Sequence, residues 1–268
     1  MRKINTYFFK YPNFGDSLNT IILERLFNID VVFSDIASCD LTCIGSNLDD
    51  FYSKKEGLLS SSPVFVWGAG YNQLLTENDL PYQKRKFHAS AVRGKESLRR
   101  IIKSQQFYSK SPILGDPGIL APLCIKTSSK KKYTYCIIPH YVDYNLPQIK
   151  KLHNSLQNSI VVDVTKDCKD ILNCISKSDF VISSSLHGLI LADTLGVPCA
   201  WLSFSDKICG GEYKYDDFYS VFDYKKKCLY YPETKDFNLK EIHSYMSDYN
   251  FQTSINFLQK KLISAFPL

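Results

Sequence analysis

The passage richest in possible chemistry is Phe180-Val181-Ile182-Ser183-Ser184-Ser185-Leu186-His187-Gly188. An apolar strand runs straight into three hydroxyl side chains and then into a nearly all-apolar helix, with Gly196 just past its end and Pro198 beyond. A buried helix start of this kind presents unpaired N–H groups and a partial positive charge, which suits an anion. Ser183, Ser184, Ser185 and Gly188 are therefore candidate contacts. His187, in the first turn, is expected to stay neutral in that field and to exchange protons near neutral pH. The same residues also suit a capped structural helix with a histidine filling a polar gap.

Further candidates stand after other strands. Arg93-Gly94 follows Phe87–Val92 and offers a planar fork to a carboxylate or phosphate, or else a pair for Glu96 or a cap for a carbonyl. In Pro12-Asn13-Phe14-Gly15-Asp16, Asn13 and Asp16 have the groups to contact sugar hydroxyls or to make an Asx turn and a helix cap. Gly68-Ala69-Gly70 marks a close approach of chain segments. Asp116, in Gly115-Asp116-Pro117, reads as a turn residue, and His140 follows a strand where a ligand would sit. His88, His153 and His243 read as structural. No His, Asp or Glu cluster has metal-ligand spacing, and neither a Gly-x-Ser-x-Gly elbow nor a phosphate loop of the Walker type occurs. No metal or cofactor is expected.

The elements that must position these residues are legible as short apolar runs alternating with helical periodicity, the pattern of α/β layers with a mainly parallel sheet. Expected strands are Ile4–Phe9, Asp30–Phe33, Leu41–Ile44, Val64–Trp67, Phe87–Val92, Tyr133–Ile138, Ser159–Val164, Phe180–Ser183 and Cys199–Leu202. Expected helices begin near Asp16, with Leu18, Ile22 and Leu26 on one face, and cover Lys95–Ser104, Leu146–Leu156, Cys168–Ser176, Leu186–Leu195 and Phe251–Phe266. A polar, lysine-rich stretch over Cys124–Lys132 separates two units, residues 1–125 and 131–268.

The chain has 268 residues, 44% hydrophobic, enough for a sizeable core. Its nine cysteines are odd in number and lack C-x-x-C spacing, so they read as reduced thiols. No signal peptide or membrane-spanning run is evident, which points to a cytoplasmic protein able to rest on a membrane surface. The net charge of +6 comes largely from scattered lysines. It favours acidic small molecules or an anionic membrane face over nucleic acid.

Taken in order, Asn13-Phe14-Gly15-Asp16, Trp67-Gly68-Ala69-Gly70, Ala91-Val92-Arg93-Gly94, Leu114-Gly115-Asp116-Pro117 and Ser184-Ser185-Leu186-His187-Gly188 resemble the polysaccharide pyruvyl transferase family. The stretch Trp201 to Lys207, continuing to Tyr213-Lys214-Tyr215, resembles the bacterial exopolysaccharide and capsule branch. The resemblance implies two Rossmann-like domains facing across a cleft, as in the GT-B glycosyltransferases, with the last helix packing back on the first domain. It implies phosphoenolpyruvate as donor and a hexose-containing glycan, free or lipid-linked, as acceptor, the product being a cyclic pyruvate ketal. In that comparison Arg93 and His187 belong to the donor, with Asp16 as an acceptor-side base. Many members carry arginine immediately before the Leu-His pair, where this chain has Ser185, so Lys207 or Lys214 is expected to supply the missing charge. The alternative is a glycosyltransferase of the same architecture that uses a nucleotide sugar.

Overall fold

The computed structural model describes residues 1–72, 82–103, 111–128, 130–246 and 251–268. Expected features at Ser104 and Ser129 lie outside the described residues. Two parallel sheets organise the chain. The first contains β1 (Arg2–Tyr7), β2 (Ile29–Phe33), β3 (Leu41–Thr42), β5 (Val64–Trp67), β7 (Phe87–Val92) and β8 (Ile113–Leu114), in the order β2-β1-β3-β5-β7-β8. A short antiparallel pair, β4 (Tyr52–Ser53) with β6 (Tyr82–Gln83), stands apart from it. The second sheet runs β10-β9-β11-β12-β13, from β9 (Tyr133–Ile138), β10 (Ser159–Val161), β11 (Ser178–Ser183), β12 (Cys199–Ser203) and β13 (Cys228–Tyr230). Strands covered on both faces need continuous apolar runs, which is why Val64–Trp67 and Cys199–Leu202 read so clearly in the sequence.

The helices are α1 (Phe14–Phe27), α2 (Lys95–Lys103), α3 (Ala121–Cys124), α4 (Pro147–Ser155), α5 (Cys168–Ser176), α6 (Leu186–Thr194), α7 (Tyr213–Tyr219), α8 (Leu239–Ser244) and α9 (Gln252–Ser264). The α6 helix is buried on every side, as its nearly all-apolar composition requires. It ends at Thr194, with Leu195 as its cap, followed by Gly196 at φ +68°, a left-handed conformation that favours glycine. In α9, Ile255, Leu258 and Leu262 form the buried stripe. Gln259 donates to the Ile119 carbonyl at 2.7 Å and Trp67 Nε1 donates to the Leu262 carbonyl at 2.9 Å, so the last helix covers the first sheet. Phe27 and Phe266 stack at 3.9 Å beside that contact.

Several boundaries differ from expectation for identifiable reasons. The strand β3 stops at Thr42 because the Asn19 side chain takes over beyond it. The Asn19 Oδ1 accepts from the Ile44 N–H at 2.9 Å, and Nδ2 donates to the Ile44 carbonyl at 3.1 Å. The strand β10 ends at Val161, and three residues on the Val164 carbonyl instead accepts the first N–H of α1 from Phe14 at 2.8 Å. The strand β1 ends at Tyr7, leaving Phe8 to Tyr11 in the connection to α1. The α7 helix, aromatic and acidic, has no periodicity that reveals it in the sequence.

In each sheet the chain leaves a central strand in both directions. From β1 it passes to β2 on one side and β3 on the other, and from β9 to β10 and β11. Such switch points open a crevice at the carboxyl ends of the strands. None of the nine cysteines is in a disulfide, and five of them are buried. Among the described residues, no helix is long and apolar enough to cross a membrane. The Trp67→Phe variant removes the indole donor while keeping most of the ring, so it should lose about 1 kcal/mol of unfolding free energy. Urea denaturation monitored by circular dichroism checks this, with the midpoint lowered and the slope unchanged.

Candidate active site

Both switch points open onto one cavity of about 320 Å³. The first sheet contributes Asn13 and Asp16 after β1 and Ser46 and Asn47 after β3, while the second contributes His140 after β9 and Ser185 and His187 after β11. Lys207 and Lys214 complete the wall from the segment that follows β12.

His187 is held between chains that leave it no freedom. A Cβ on Gly15 would lie 2.2 Å from the ring's Nδ1, so the start of α1 rests directly on the imidazole. The Phe14 ring meets it edge-on at 6.2 Å. Burial, then the charges of Arg93 and Lys214, push its pKa down to about 3, so the ring is neutral at pH 7. Its Nε2 is buried without a hydrogen-bond partner and faces the equally unpartnered Oδ2 of Asp116 at 3.8 Å. With His187 neutral this is a gap, not an ion pair. Asp116 is itself fully buried, with its pKa raised by burial to about 6, and its Oδ1 accepts from the Gly118 N–H at 2.8 Å. A proton on the imidazole would find its counter-charge already in place.

Asn13 serves the helix and the cavity together. Its Oδ1 accepts from the Gly15 N–H at 3.2 Å as the α1 cap, and its Nδ2 donates to Asp16 Oδ2 at 3.1 Å. Burial outweighs that hydrogen bond and raises the Asp16 pKa to about 7, the range for a proton acceptor at physiological pH. Lys214 is buried, with its pKa lowered to about 8, first by burial and then by Arg93. Among the described residues no carboxylate lies within ion-pair distance of it. A buried cation with no direct ion-pair partner, beside the first turn of α6, suits an anion, although Asp16 and Asp143 also act on it from farther away. Lys207 is exposed at the rim. His140 is pushed down to about 3 by burial, Lys214 and His187, and its Nδ1 accepts from the Val142 N–H at 3.4 Å.

Other candidates have different placements. Ser185 lines the cavity and makes no capping bond with its side chain. Ser183 and Ser184 are fully buried and turned into the structure behind it. The Ser183 hydroxyl bonds the Ile138 carbonyl at 2.8 Å and accepts from the Ser185 N–H at 2.9 Å. Ser184 donates to Asp143 at 2.8 Å and accepts from the His140 N–H at 2.9 Å. Gly188 gives Ser183 room, since a Cβ there would lie 2.4 Å from its hydroxyl. None of these three lines the cavity.

Arg93 is fully buried and is also absent from the cavity wall. Its Nε donates to Asp217 at 2.9 Å, and its two terminal nitrogens donate to Ser46 and to the Tyr71 carbonyl. Neither Glu96 nor a ligand-facing fork engages it. Gly70 permits this arrangement, because a Cβ there would stand 2.4 Å from the guanidinium carbon. Asp217 also accepts from the Glu96 and Ser97 N–H groups at 3.0 Å, capping α2, and from the Ser97 hydroxyl at 2.6 Å. Arg93 therefore ties α7, which carries Lys214, to the turn after β7.

Nothing in the sequence singled out Asp143, Asp217 or Asn47, and it marked Asp116 only as a turn residue, a role the Gly118 N–H bond bears out. Asp116 had a usable signal, since it follows a strand end within a quoted motif. Asp217 had none, because its partner lies 124 residues away. Among the described residues no three His, Cys, Asp or Glu side chains converge as a metal site.

The family model described as polysaccharide pyruvyl transferase matches residues 1–206. The chain belongs to the polysaccharide pyruvyl transferase family, whose members are transferases acting on polysaccharides. An uncharacterized protein of Acanthamoeba polyphaga mimivirus is 33% identical over 237 residues, covering 83% of this chain and 77% of that one. The succinoglycan biosynthesis protein ExoV of Rhizobium meliloti (strain 1021) is 24% identical over 216 residues, covering 78% of this chain and 61% of its own length. The family match does not favour the nucleotide-sugar alternative.

Two outcomes follow for stability. Removing one partner of a buried ion pair strands the other charge, so Asp217→Ala should cost about 3–5 kcal/mol. Adding Arg93→Ala should recover part of that loss in a double-mutant cycle read by denaturation. Asp16 holds its proton more tightly folded than unfolded, so its contribution to stability falls as pH rises from about 4 to about 7. Asp16→Asn should therefore raise the melting temperature, by a margin that grows over that interval. A constant margin across this pH series would show that Asp16 does not titrate as described.

Proposed function

We propose that this chain transfers pyruvate from phosphoenolpyruvate to two hydroxyls of a hexose in a polysaccharide or its lipid-linked precursor, forming a cyclic ketal and releasing phosphate. The observation that carries this reading is the buried cation Lys214, with no carboxylate at ion-pair distance among the described residues, beside the first turn of α6 and the neutral, buried imidazole of His187. A small donor with a phosphate and a carboxylate suits a site whose buried cation has no direct ion-pair partner among the described residues. Lys214, with Lys207 at the rim, supplies the charge that Ser185 does not.

In this reading residues 1–125 and 131–268 form two Rossmann-like domains facing across the cavity, the acceptor resting on the first and the donor on the second. The donor's negative charge offsets the cations that, after burial, help to hold His187 neutral, so its pKa rises and it takes up a proton opposite Asp116. His187 delivers that proton to the terminal methylene carbon of the enol. A sugar hydroxyl attacks the adjacent carbon while Asp16 accepts the hydroxyl proton. A second hydroxyl then displaces phosphate from the same carbon, its proton leaving with phosphate or solvent. Lys214 and the α6 N–H groups stabilise the charge that collects on the leaving group. Arg93 acts through position and field, holding α7 without touching the donor. No metal or other cofactor takes part, and turnover is expected to survive EDTA. The reaction belongs in the cytoplasm, with the protein free or peripherally bound at the membrane.

The test incubates the protein with phosphoenolpyruvate and a panel of galactosides, N-acetylmannosamine glycosides and lipid-linked sugars. Phosphate should appear only with a proper acceptor, which gains the mass of pyruvic acid less one water. His187→Ala should lower turnover by about 10²–10⁴-fold with an unchanged melting profile. Full activity in that variant removes His187 from the mechanism. The profile of kcat/KM against pH should rise through about 7 as Asp16 ionises and fall above about 8 as Lys214 loses its proton.

A further inference from the structure

The cavity contains a polar side chain that neither the anion site nor the proton transfers use. Asn47 is 2% exposed, and both its Oδ1 and its Nδ2 are buried without a hydrogen-bond partner. An unpaired buried amide costs about 1–3 kcal/mol, so a fold does not retain one for stability. The amide lines the cavity, and its position relative to the proposed base is fixed by Gly45. A Cβ on Gly45, whose φ is +123°, would lie 3.3 Å from Asp16 Oδ1 and 3.4 Å from Asn47 Nδ2. The two side chains flank the same glycine, so a hydroxyl bonded to the Asn47 amide sits next to Asp16.

An aromatic wall stands at the same opening. Phe9 and Tyr11, from the connection between β1 and α1, lie 6.4 Å apart by ring centroids. Tyr11 and Tyr141 follow at 4.6 Å, and Tyr141 and His140 at 4.3 Å, all with ring planes tilted by about 30°. Phe9, Tyr141 and His140 line the cavity. Phe9 and Tyr11 are 49% and 47% exposed, a large apolar area to leave in water at a site mouth. Flat faces with polar edges suit a ring whose C–H groups point one way and whose hydroxyls point another. An acyl chain would gain nothing from the unpartnered amide.

We propose that Asn47 and the Phe9–Tyr11–Tyr141 wall form the acceptor subsite for a pyranose. The sugar stacks on the wall, and the Asn47 amide selects the hydroxyl that Asp16 deprotonates. The inference rests on the pyruvyl-transfer reading for the identity of Asp16 as base, and sugar binding is measurable without the donor.

The experiment measures binding of methyl pyranosides, the galactoside and the N-acetylmannosaminide among them, by saturation-transfer NMR with no donor present. Wild type should bind at least one glycoside. Asn47→Leu and Tyr141→Ala should each weaken it by about tenfold or more, with Tyr141→Trp retaining most of the affinity. Phosphoenolpyruvate affinity, measured separately, should stay within about twofold in all three. Asn47→Leu removes two unpaired buried atoms, so it should be at least as stable as wild type, and an accompanying loss of sugar binding cannot be assigned to misfolding. Tyr230→Ala, on the edge strand β13 and outside the cavity wall, controls for loss of an exposed tyrosine. Undiminished glycoside binding in both subsite variants overturns the inference, as does wild-type protein that binds no pyranoside. Loss of binding to phosphatidylglycerol vesicles with unchanged glycoside binding would make the wall a lipid contact and overturn it equally. If binding follows the expected pattern but no phosphate is released, the subsite stands and the proposed reaction falls.

Discussion

The ion pair between Arg93 and Asp217 is the constraint on which the arrangement of the site depends. Both residues are fully buried, and desolvating two charges is compensated only when their remaining hydrogen-bonding capacity is met. Here the guanidinium also reaches Ser46 and the Tyr71 carbonyl, while the carboxylate also caps α2 through two N–H groups and accepts the Ser97 hydroxyl. Gly94 is required beside it, since a Cβ there would fall 1.8 Å from the Asp217 carbonyl oxygen. Because Asp217 and Lys214 share α7 three residues apart, the pair that fixes one also aims the other. The first sheet thus determines where a cation of the C-terminal half stands.

The cavity that results is full of groups kept from their preferred charge state. His187 and His140 are held neutral, Lys214 is depressed towards neutral pH, and Asp16, and Asp116 behind His187, are raised well above the usual carboxylate range. Burial is the first cause in every case. Such a cluster is unfavourable for folding and is the expected signature of a site that awaits a charged ligand. An anion beside Lys214 would relieve the repulsion on His187 and draw a proton towards it. In the proposed reading, binding and activation are one electrostatic event.

What the sequence disclosed, and what it hid, follows from the range of the interactions. Strands such as Val64–Trp67 and Cys199–Leu202 were legible because a parallel strand buried on both faces must be continuously apolar. The α6 start was legible because a strand, hydroxyls and an apolar helix succeed one another within nine residues. The use made of those hydroxyls was not, since Ser183 and Ser184 spend theirs on Ile138, Ser185, Asp143 and His140. Arg93 was recognisable as important, yet its partner is on a helix without apolar periodicity and far along the chain. Asn47 carried no local mark at all. Its meaning comes from the absence of a partner, which only a folded chain can show.

The central claim is that Lys214, aimed by the Arg93–Asp217 pair and set beside the first turn of α6, is the anchor of an anion site that protonates His187 when filled. Calorimetric titration of phosphoenolpyruvate into wild type and Lys214→Met, near neutral pH in two buffers of different ionisation enthalpy, measures affinity and proton uptake together. Wild type is expected to bind with net proton uptake, and Lys214→Met to lose most of the affinity. Equal affinity in the two proteins, or wild-type binding with no proton taken up, would contradict it.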